Sequence, residues 1–170
     1  MKSMTKFFSC GVLLVCVACS APTPENYWIY RNLSEDLRGR EIVIDAGREQ
    51  LTVRDLAVNL EICSQTEEFI CFSSEFLSFA VPRNLSEKSG PWSFGGTEYR
   101  VLAYRDEMIL GQNISLFFVG ANIDGNDLVF YFSKQRGLIA LAGSNGTGTQ
   151  LFGVDYCGFG ADIDCRTGTP

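Results

Sequence analysis

Apolar and polar residues alternate along much of this chain with the period of a β-strand. Leu56, Val58, Leu60 and Ile62 are separated by Ala57, Asn59, Glu61 and Cys63, which predicts a strand with one dry face and one wet face. Glu41 to Asp45 is a short β-branched run that ends at a turn around Ala46-Gly47. Phe69 to Phe72 and Phe76 to Val81 predict two more strands, the second stopped by Pro82. Glu98 to Arg105, Ile114 to Val119, Leu128 to Ser133 and Leu138 to Ala142 complete the set. The last three are apolar on both faces, so both of their sides need cover. Asp124-Gly125 and Lys134 to Gly137 have the composition of hairpin turns between them. Arg83 to Gly96 is rich in Gly, Pro and Ser and reads as a loop. Tyr27 to Leu37 is ambiguous, with a short helix able to open at Ser34. Strands at short spacing predict an all-β, mainly antiparallel fold. The expected form is a small β-sandwich or closed barrel with at most one short N-terminal helix.

The start of the chain has a different pattern. Lys2 and Lys6 precede a charge-free stretch from Phe7 to Ala18, which is too short to cross a bilayer as a helix but has the length of a signal-peptide core. It ends in Cys16-Val17-Ala18-Cys19-Ser20, which resembles the lipobox of bacterial lipoproteins, with Ala18 before the cleavage point and Cys19 as the lipidated residue. Cys16 stands where that family prefers Leu. An ordinary secretory peptide cut after Ser20 is the alternative reading. Ser rather than Asp after the Cys implies, in that family, the outer membrane. The expected organisation is a signal peptide over 1–18, a tether over 19–26 containing the proline-bearing APTPEN, and one β-rich domain over 27–170.

Composition then narrows the chemistry. The chain has 170 residues, a formal net charge of −6 and no histidine. One core of ordinary proportion fits that length. Acidity argues against nucleic acid, which needs a basic stripe. The lack of histidine removes Ser–His and Cys–His catalysis and every His-ligated metal site. Without the leader, Lys88 and Lys134 are the remaining lysines, too few for a basic membrane patch, so membrane attachment is expected through the lipid only.

Of seven cysteines, Cys63, Cys71, Cys157 and Cys165 remain after the leader and Cys19 are set aside. An even number in an exported chain predicts disulfides. The equal spacing within each pair favours Cys63–Cys71 and Cys157–Cys165, and seven intervening residues suit a zinc knuckle poorly.

Chemistry-bearing motifs are few. Asn122 to Asp127 has a calcium-like look but lacks the glycine and glutamate of an EF-hand loop, so a hairpin turn is expected there. Gly143 to Thr149 lacks the Lys-Ser/Thr of a phosphate-binding loop. Glu67-Glu68 and Asp106-Glu107 are adjacent carboxylates read as solvated turn charges, with a carboxylate-based hydrolase as the minor alternative. Asn32, Asn84, Asn113 and Asn145 open sequons that carry no meaning behind a bacterial leader. No catalytic residue, cofactor or metal is expected.

The segment with most binding character lies near the C-terminus. Tyr156, Phe159, Asp162 and Asp164 would surround a disulfide-closed loop, with Phe159 between two glycines as an exposed anchor. The competing expectation is that this loop only ties down the terminus, with Phe159 packed inward. Function is therefore expected to be that of an exported envelope protein with a binding or structural role. A periplasmic inhibitor or immunity protein acting on a secreted enzyme is the alternative, so the partner would be an envelope or secreted protein.

Overall fold

The computed structural model describes residues 26–32, 41–64, 68–109, 111–143, 150–153 and 157–162. Twelve strands make it up: β1 (Tyr27–Arg31), β2 (Glu41–Asp45), β3 (Gln50–Val53), β4 (Leu56–Ile62), β5 (Phe69–Ser74), β6 (Ser78–Pro82), β7 (Trp92–Phe94), β8 (Thr97–Ile109), β9 (Gln112–Ile123), β10 (Asn126–Ser133), β11 (Gly137–Gly143) and β12 (Leu151–Gly153). They form one antiparallel sheet in the order β6-β5-β4-β3-β2-β1-β12-β11-β10-β9-β8-β7, nearly closed into a barrel. No α-helix occurs among the described residues. The helix considered at Ser34 lies outside them, as do the leader, Cys19 and most of the tether.

The expected β class is observed, with four strands that the pattern did not resolve. β1 came from the ambiguous segment, β7 from the predicted loop, and β3 and β12 were not anticipated. β3 and β12 are four and three residues long, too short to show a period. β12 pairs with both β1 and β11, so it joins the N-terminal and C-terminal halves of the sheet.

Local chemistry sets the register. Asp124 and Gly125 both have positive φ, 50° and 79°, the type I′ geometry that matches the twist of β9 and β10. Asn122 Nδ2 donates to Asp127 Oδ1 at 2.7 Å and Asn122 Oδ1 accepts from Gly125 N at 3.2 Å. The calcium-like segment is thus a self-bonded hairpin turn. In β4 only Val58 and Leu60 turn inward; Leu56 and Ile62 are exposed. β4 changes partner along its length, pairing with β3 through Leu56–Asn59 and with β5 through Leu60–Ile62, and this interrupts the predicted dry face.

The interior is aromatic. Tyr30, Phe72, Phe79, Tyr99, Phe130 and Phe132 are almost wholly buried with Ile44, Leu51 and Leu138 in one cluster. β6 and β7 are the two sheet edges. Side chains close the gap between them: Trp92 Nε1 donates to the Ala80 carbonyl at 2.9 Å, and the Ser78 and Tyr99 hydroxyls share a hydrogen bond of 2.9 Å. Trp92 also stacks on Tyr99. The bond from Trp92 occupies the Ala80 carbonyl, an edge group that would otherwise template pairing with another chain.

β9 to β11 are covered on both faces, as their continuous apolar runs predict. A second cluster of Ile114, Leu116, Phe118 and Ile139 lies on the side away from the main core, with the Arg105 guanidinium 4.5 Å from the Phe118 ring centre.

The expected Cys63–Cys71 disulfide is present, with a Cα–Cα distance of 5.3 Å. It staples the end of β4 to β5, beside the backbone bond from Cys63 N to Cys71 O. Cys157 is buried and disulfide-bonded; Cys165 lies outside the described residues.

Candidate functional site

Phe159 is the first correction to the sequence reading. It is buried, not an exposed anchor. Its ring makes edge-on contacts with Trp28 and Phe72 at centroid distances of 5.3 and 5.1 Å, and with Phe79. The segment around it is sewn to β11: Leu138 N donates to Phe159 O, and Gly158 N donates to Arg136 O. The Tyr30 hydroxyl donates to Leu138 O at 2.9 Å and accepts from Phe159 N at 3.0 Å. Burial raises the Tyr30 phenol well above its ordinary value, and the bond to Phe159 acts in the opposite direction. A Cβ at Gly158 would fall on the Leu138 carbonyl, so glycine is what permits this approach. The flanking glycines, read as leaving Phe159 bare, instead let the backbone come close enough to bury it. Asp162 is exposed, while Tyr156 and Asp164 lie outside the described residues. Of the two candidates among the described residues, the aromatic one, Phe159, is therefore not an exposed anchor.

A cleft the sequence did not indicate lies at one end of the barrel. Its volume is ≈ 490 Å³, and its walls include Ser86, Tyr104, Asn113, Ser115, Phe117 and Lys134. Glu87 and the turn Gln135-Arg136 complete the rim. Three pieces of local structure build it. The loop after β6 turns back on itself through the bond from Leu85 N to Pro82 O, with Leu85 fully buried. Ser86 N donates to Ser89 Oγ and holds the rim of that loop. The β10–β11 turn presents Lys134, and its Arg136 N reaches back to Ser133 Oγ.

The third piece is a β-bulge in β8. Val101 pairs with Val119, but the next pair is Ala103 with Phe118, so Leu102 is the extra residue. The bulge inverts the alternation. Tyr99 and Val101 belong to the main core, and after the bulge it is Tyr104 that lies opposite Phe117 on the same side. The two rings meet at a centroid distance of 4.5 Å, and Tyr104 remains 41% exposed. Asp106 follows on that side and accepts from Ser115 Oγ at 2.6 Å. Lys134 Nζ lies 5.9 Å from the centre of the Phe117 ring. A period-2 reading of Glu98 to Arg105 assigns Tyr104 to the wrong face, and an isolated bulge residue leaves little trace in sequence.

Among the described residues, no group of three His, Cys, Asp or Glu side chains could hold a metal, and no helix is long and apolar enough to cross a membrane. The paired carboxylates separate: Asp106 and Glu107 alternate across β8, and Glu107 accepts from Arg105 Nε at 2.6 Å. Glu67 lies outside the described residues. No protein-family model matches the chain, and neither a curated protein nor a solved structure is similar to it.

Proposed function

We propose that this chain is an exported envelope protein, anchored by a lipid on Cys19, that acts by binding through the open end of its barrel rather than by catalysis. The observation that carries the export reading is the Cys63–Cys71 disulfide, standing behind a leader that resembles a lipobox. Disulfides of this kind persist in oxidising compartments and are rare in the reducing cytosol. The open cleft supports the binding role. It offers hydroxyl, amide and charged groups beside an exposed aromatic ring, a mixture suited to orienting a ligand.

Metabolic labelling with radioactive palmitate, followed by fractionation, tests the anchor. Wild-type protein should carry label in the membrane fraction, and Cys19→Ala should carry none. Equal labelling of the two proteins, or an unlabelled wild type, contradicts the proposal.

A further inference from the structure

The cleft has a composition that narrows the ligand. Its volume of ≈ 490 Å³ lies within the roughly 300–1,000 Å³ typical of small-molecule sites. Only Ile114 and Phe117 among its walls are purely apolar, too few for an acyl chain. Lys134 and Arg136 are accompanied by Glu87, which disfavours a ligand dense in phosphate. The remaining polar groups, on Ser86, Asn113, Ser115, Ser133 and Gln135, are hydroxyls and amides that both donate and accept. Beside them stands Tyr104, one side of its ring against Phe117 and much of the rest open.

A ring with an apolar C–H face and a rim of hydroxyls complements these features together. We infer that the mouth binds a short pyranose oligosaccharide. One sugar ring stacks on Tyr104, and its hydroxyls bond to Asn113, Ser115 and the Ser86 loop. The bulge at Leu102 is then a specificity device, because it brings an aromatic platform beside the polar wall. This inference rests on the binding role proposed above and assigns it a ligand class.

Calorimetric titration of the protein, purified in the form the cell accumulates, tests it with two probes. Chitotetraose represents N-acetylated wall glycan, and maltotetraose represents unmodified glucose polymer. Saturable binding of either supports the inference, and the preferred probe identifies the source. Tyr104→Ala should weaken binding about tenfold or more, Tyr104→Trp should retain it, and Leu56→Ala, exposed on β4 and outside the cleft, should leave it unchanged. If Tyr104→Ala proves unfolded, Asn113→Ala serves instead, with a loss of about fivefold or more. A folded wild type that binds neither sugar, or binding untouched by the cleft substitutions, overturns the inference. Export is read separately: folded protein in the envelope that ignores both sugars refutes the ligand class alone, whereas unprocessed cytosolic protein refutes the export reading alone.

Discussion

The two most informative regions of this molecule, the buried joint around Tyr30 and the open mouth around Tyr104, use the same residue type in opposite ways. Tyr30 is fully buried, and its hydroxyl is committed to Leu138 O and Phe159 N. Tyr104 leans one side on Phe117 and leaves the rest of its ring in the cleft. Close packing and satisfied hydrogen bonds make the first region a determinant of stability. Incomplete packing makes the second available to a ligand. Substitutions at the joint should lower stability, and substitutions at the mouth should spare it.

The largest expected effect is at the joint. Phe159→Ala removes a ring packed against Trp28, Phe72 and Phe79 and should cost about 3–4 kcal/mol in a denaturant melt. A near-neutral result would revive the exposed-anchor reading of the C-terminal loop. Tyr30→Phe keeps the ring and removes the hydroxyl. It leaves the Phe159 N–H and one bond of the Leu138 carbonyl without a partner, at a cost of about 3 kcal/mol. Replacing Cys63 and Cys71 together by Ser should cost about 2.5 kcal/mol, the loop-closure value for a separation of eight residues. The double variant should melt above the fully reduced wild type, which also loses the disulfide of Cys157.

A pH effect follows from the buried tyrosines. Burial raises the Tyr30 phenol, and the Phe159 N–H opposes it; burial also raises Tyr99, opposed by bonds with Ser78 and Thr97. The native state holds these protons more tightly than the unfolded chain. Their contribution is therefore complete below the ordinary tyrosine value of about 10 and is lost as pH rises above it. In an alkaline titration followed by phenolate absorbance, Tyr30 should ionise only as the fold is lost. Its ionisation at the ordinary value in a folded protein would contradict the buried joint.

How much of this was legible in the sequence differs between the two regions. The β class, the Asp124-Gly125 turn, the Cys63–Cys71 staple and the double-sided burial of β9 to β11 follow from period, turn chemistry and spacing, all local signals. The joint was half legible. Gly158, Phe159 and Gly160 stand out, but only the arrival of Leu138 and Tyr30 from elsewhere in the chain shows why glycine is needed. The mouth was not legible, because it gathers a loop, a turn and two strand ends, and depends on a one-residue bulge that reverses which side chains face inward.

The division between a closed joint and a binding mouth can be examined directly by amide chemical-shift mapping during titration with the tetrasaccharide that the calorimetry selects. Shifts should concentrate at Ser86, Tyr104, Asn113, Ser115 and Lys134, and be absent at Trp28, Tyr30, Phe72 and Phe159. Shifts centred on the joint, or scattered without relation to the cleft, would contradict the account.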